Sequence, residues 1–115
     1  MFGVTEKKIE KWKIKNNAKK IADAMNHKNK DIRLAAIKAG AELKDDNVYN
    51  TLIVLLKDPD PEIRACSAES LGKMGRPSAQ EHLKLISETD SDNNVRNKAL
   101  EAMRNIIAHK AKIGS

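Results

Sequence analysis

Four groups of residues in this chain have types and spacings that bear on chemistry. They are the stretch DSDNNVRNKALE at 90–101, three histidines, one cysteine and a run of lysines near the N-terminus. Asp90, Asp92, Asn94 and Glu101 fall at positions 1, 3, 5 and 12 of a calcium-loop pattern. Position 6 is Val95 where such a loop needs glycine for its sharp turn, so helix capping is the expected use of this stretch. His27, His82 and His109 are far apart, and no two stand at the spacing of paired metal ligands. Cys66 follows Arg64 by two residues with no base at hand, which suits a small packed thiol better than a nucleophile. No catalytic residue, cofactor site or metal site is therefore expected.

The lysines are more suggestive. Lys7, Lys8, Lys11, Lys13, Lys15, Lys19 and Lys20 crowd one short segment. A patch of this kind attracts phosphate backbones or anionic surfaces. The segment offers only Trp12 to stack on a base, and lysine outnumbers arginine, so a solvated cap face is the competing reading. Residues 1–30 hold nine lysines against Glu6, Glu10 and Asp23; residues 31–115 hold thirteen basic and thirteen acidic side chains. Positive charge thus belongs to the beginning of the chain.

The total of 115 residues is enough for one domain with a modest core. Aromatics are 3% of the chain, so that core must be aliphatic and alanine-rich. The opening MFGVTEKKIEKWKIKNN has no unbroken apolar stretch, and no membrane span is expected. A single cysteine excludes an internal disulfide and fits a reducing, cytoplasmic setting.

What positions these groups is a repeat. KDIRLAAIKAGAEL, PEIRACSAESLGKM and NNVRNKALEAMRNI align on Arg33, Arg64 and Arg96, spaced by 31 and 32 residues. Around each arginine an apolar or small stripe recurs at helical spacing: 32, 36, 39, 43; 63, 67, 70, 74; 95, 99, 102, 106. A second series, Ile21, Leu52, Leu83 and Ala24, Leu55, Ile86, precedes these with the same 31-residue period. Each unit reads as helix, tight turn, helix, and such a period marks a helical solenoid. Asn29, Asp60 and Asp92 stand where the second helices need caps, and Pro61 fits a first turn that requires no N–H donor.

The pattern Asp-Pro-x-Ile/Val-Arg-x-x-Ala/Ser, followed by Leu71-Gly72, resembles the HEAT repeat. More narrowly, the chain looks like the short bacterial and archaeal HEAT-like proteins whose repeats are named after phycobilisome lyases; the lysine-rich lead-in resembles theirs too. The resemblance covers residues 8 to about 108. It implies an all-α, right-handed α-α superhelix: an N-terminal capping helix over 5–16, then repeats over 17–44, 47–76 and 78–110 of a single domain. It also implies a ladder between repeats made by Arg33, Arg64, Arg96, Asp58 and Asp90. His27 stands near the Asp position of repeat one, which leaves that rung open.

Solenoids of this kind are expected to bind a protein or peptide, without catalysis, through the face lined by their second helices. The candidates off the packing stripe are Leu34, Lys38 and Ala41; Ala65, Glu69, Gly72 and Lys73; and Asn97, Glu101 and Arg104. The last helix also carries Leu100, Met103 and Ile107, which have no following repeat to cover them. A terminal repeat needs a polar outer face to stay soluble, so this end is expected to dock a partner or a second copy, or to be covered by AHKAKIGS folding back. The alternative function is nucleic-acid binding through Lys7, Lys8, Lys11, Lys15 and Lys19. A role as a chromophore-lyase subunit rests on the family name alone.

Overall fold

Six helix starts are fixed by short polar side chains that accept the otherwise unpaired N–H groups of the first turn. Thr5, Asn17, Asn29, Asp45 and Asp60 cap the helices Glu6–Ile14 (α1), Ala18–Ala24 (α2), Lys30–Gly40 (α3), Asp46–Leu55 (α4) and Pro61–Met74 (α5). Asp92 accepts from Val95 N at 2.9 Å at the start of Asn93–Gly114 (α7). Only Gln80–Thr89 (α6) lacks such a side chain; a single 3-10 turn, Pro77–Ala79, leads directly into it. The structure, a computed structural model, describes the backbone of residues 3–114 and the side chains of 3–112. Met1, Phe2, Ser115 and the apolar side chain of Ile113 lie outside the described residues.

The described residues contain helices and no strand. They form three hairpins, α2–α3, α4–α5 and α6–α7, with α1 packed on the first of them. The second helices α3, α5 and α7 stack side by side, and α5 against α7 is the most extensive contact in the molecule. Pairings such as Glu69 with Lys98 and Gly72 with Ala102 advance together along both chains, so α5 and α7 run parallel. The thinnest dimension is 17 Å, the depth of two helix layers at the usual spacing of about 8–10 Å. This is an all-α solenoid.

The predicted stripe is the core. Ile32, Ala36, Ala39 and Leu43, then Ile63, Ser67 and Ser70, then Val95, Ala99, Ala102 and Ile106 are all buried; Met74 is half-buried. The first helices supply Ile21, Leu52 and Leu83, each fully shielded from solvent. Two glycines decide how the second helices meet. At Gly72 a Cβ would stand 2.8 Å from the Cα of Ala102, so only glycine allows this approach of α5 to α7. Gly75 closes α5 with φ 73°, a left-handed cap, and the ring of His109 lies against it.

The last helix does not turn back. α7 continues to Gly114, so residues 108–114 extend the helix and, among the described residues, leave the outer face of α7 uncovered. Hydrogen bonding through the end of a helix is cheaper than breaking it for a fold-back that would bury few apolar groups.

Candidate functional site

The arginines that define the repeat are structural. Arg33 donates to the Asp58 carboxylate at 2.6 Å and to the Met25 carbonyl at 3.1 Å. Arg64 makes a two-pronged contact with Asp90, at 2.9 and 3.1 Å, and also donates to the carbonyls of Asp58 and Pro59. Each rung joins the arginine of one repeat to the turn aspartate of the next. Arg96 folds onto its own turn, donating to the Asp90 carbonyl and to Asn93 Oδ1.

Repeat one needs no turn aspartate, because there is no arginine before it. The other duty of that aspartate is to accept from the backbone N–H two residues on: Asp60 N to Asp58 at 2.9 Å, and Asp92 N to Asp90 at 2.9 Å. His27 Nδ1 accepts from Asn29 N at 3.0 Å in the same way. The histidine is therefore a turn acceptor.

The calcium-like stretch is accounted for by these contacts. Asp90 serves Arg64 and the Asp92 N–H, Asp92 caps α7, and the helix begins at residue 93. Burial raises the Asp90 carboxyl, but the hydrogen bonds from Arg64 and Asp92 N outweigh it and hold the group below the usual carboxylate range. Among the described residues no three His, Cys, Asp or Glu side chains stand where they could share a metal ion. Burial pushes the Cys66 thiol up, away from the reactive thiolate.

The candidate binding residues regroup. Ala41, Ala65 and Gly72 do not lie on an open face; all three are buried, and Gly72 forms the floor of the α5–α7 contact. Leu34 is half-buried and packs against the core. Lys38, Glu69 and Lys73 line a groove of about 740 Å³ between α1, α3 and α5, which Lys7 also enters. From α7, Lys98 bridges Glu69 and Glu101 at 3.2 and 3.7 Å.

Asn97, Glu101 and Arg104 belong instead with Leu100 and Ile107. All five are exposed and follow helical spacing along one outer face of α7, while Met103 is half-buried beside Ser87 of α6. Positions four after each repeat arginine are Ile37, Ala68 and Leu100. The first two are 0% exposed under the next repeat; Leu100 is 40% exposed, and Ile107 is 53%. Where α5 has Gly72 to admit its neighbour, α7 has Arg104.

The N-terminal lysines are divided by α1. Lys8, Lys11 and Lys15 surround a hollow of about 360 Å³ with Trp12 and Lys20, and Lys19 is exposed nearby. The Lys20 ammonium lies 5.4 Å from the centre of the half-buried Trp12 ring, so the one aromatic of this patch already has a cation on it.

Sequence reasoning missed a second apolar surface. Ile53 and Val54 of α4 with Leu85 and Ile86 of α6 line a groove of about 530 Å³ between first helices, and Val54 and Leu85 are 69% and 56% exposed. The signal was present: Val54 and Leu85 are 31 residues apart, one full period, immediately before the paired core positions Leu55 and Ile86.

No helix among the described residues is long and apolar enough to cross a membrane. No curated protein matches the chain. The family model of HEAT repeats matches residues 18–104, a span that runs from the start of α2 to the middle of α7 and takes in both inter-repeat rungs. The chain belongs to the HEAT-repeat family, whose members commonly serve as protein-interaction scaffolds.

Proposed function

We propose that this chain is a non-catalytic protein-interaction module whose docking surface is the outer face of α7. The supporting observation is the contrast at equivalent positions, where Ile37 and Ala68 are sealed by the next repeat and Leu100 is not. The face places Glu101 and Arg104 between Leu100 and Ile107. An antiparallel second α7 would set Leu100 against Ile107 and Glu101 against Arg104 in both directions, a self-complementary arrangement of the kind a two-fold dimer requires. A second copy is thus the first partner to test. Two aliphatic side chains per copy make a small interface, so association belongs in the weak class of complexes. The α1 lysines are read as the solvated face of the cap.

Sedimentation velocity across a wide concentration range tests this. The wild type should shift toward dimer as concentration rises, and Leu100→Lys with Ile107→Lys should stay monomeric. Glu101→Arg and Arg104→Glu should each weaken dimerisation, and their combination should restore it. A monomer at every concentration, indistinguishable from the lysine variant, would overturn the self-docking.

A further inference from the structure

The parallel stacking of second helices has an electrostatic result invisible in charge counts along the chain. All N-terminal ends of these helices meet at one edge, where Asp58, Asp60 and Asp90 are consumed by Arg33, Lys30 and Arg64. The opposite edge gathers Lys44 from just beyond α3, Lys73 and Arg76 from the end of α5, and His109 and Lys110 from α7. These five line one groove of about 550 Å³ with Met74, Gly75 and Pro77, and no carboxylate lines it. Arg76 is committed, donating to Asp46 at 2.8 Å and lying over the Tyr49 ring at 4.8 Å. Lys44, Lys73 and Lys110 form no ion pair among the described residues, and all three are exposed. Helix C-termini attract cations, but only with about half a charge each. The cations here exceed what the ends of α3 and α5 balance.

We propose that this groove docks an acidic peptide segment of a partner protein, with carboxylates on the lysine rim and one aliphatic side chain seated against Met74 and Pro77. Charge complementarity names the carboxylates, since a rim of one sign with unpaired cations steers and orients an anionic segment. The apolar floor names a peptide rather than a nucleic acid. A phosphate backbone has no use for Met74 and Pro77, and the nearby Tyr49 ring is covered by Arg76. Gly75 is what opens the space: its missing Cβ lets the His109 ring lie down on the end of α5, with Lys110 beside it.

The site adjoins the outer face proposed above at Ile107 and lies away from Leu100. Leu100 lies ten residues before Lys110 on α7, about 15 Å along the helix axis. Isotope-labelled full-length chain is titrated with a blocked ten-residue peptide of glutamates around a single leucine, read by backbone amide NMR. Shifts should concentrate at Lys73–Arg76, His109 and Lys110. Affinity should fall about tenfold or more in Lys73→Glu with Lys110→Glu, whose positions are exposed and whose fold circular dichroism verifies. It should also fall when serine replaces the peptide's leucine, and stay unchanged in Leu100→Lys. Equal binding of a glutamine version of the peptide, unchanged affinity in the charge-reversed variant, or no shift at all would overturn the proposal. So would a ten-nucleotide thymidine strand that binds the same amides as tightly as the peptide, which would make the groove a nucleic-acid surface.

Discussion

Asp90 and Arg64 form the two-pronged rung between the second and third repeats, and Asp90 also organises its own turn. Its carboxylate accepts both prongs of Arg64 and the Asp92 N–H, and its carbonyl accepts from Arg96. Asp90→Asn keeps the shape but removes the charge that this geometry matches, and should cost about 2–3 kcal/mol at neutral pH. Because the folded carboxyl titrates below its ordinary value, its stabilisation is present above pH ~4 and is lost as pH falls through the folded pKa. Thermal unfolding of the two proteins should therefore differ most near pH 7 and converge as pH falls through the depressed titration of the folded carboxyl. The arginine and turn positions of this ladder were legible because they recur at fixed spacing. The function of His27 was not. Its type differs from aspartate, and only coordinates show that one acceptor, not a charge, is what the first turn requires.

The contact between α5 and α7 depends on Gly72. In Gly72→Val a branched side chain meets the Ala102 backbone, which has no freedom to yield, so the helices must separate. Overpacking of this kind typically costs about 1–3 kcal/mol, more than the helix propensity gained by losing glycine. Circular dichroism should show retained helicity with a lower melting temperature. Periodicity showed which stripe of each helix is core. It did not show which flank faces the neighbouring repeat, because that angle is set by how helices lean on one another. Ala65 and Gly72 were for that reason placed on an open face that α7 in fact covers.

The molecule is built from two helix layers whose ends differ in sign, and one of its sides is closed by α1. Ile9 is buried, and Val4 and Trp12 pack partly against the core, so α1 completes the first repeat. Deleting residues 1–16 should lower the melting temperature, yet leave much of the helicity of α2–α7, since each repeat leans mainly on its neighbours. A loss of all far-UV helical signal in that variant would show instead a single indivisible core. The even balance of residues 31–115 gave no hint of the basic edge. Counting along the chain averages over both ends of every helix, and only the parallel stack sorts them.

The position eight after each repeat arginine is Ala41 at the end of α3 and Gly72 in α5, both small and buried, and the equivalent place on α7 holds the long, exposed Arg104. A further hairpin approaching α7 as closely as α7 approaches α5 would need that side chain pared back to a small one.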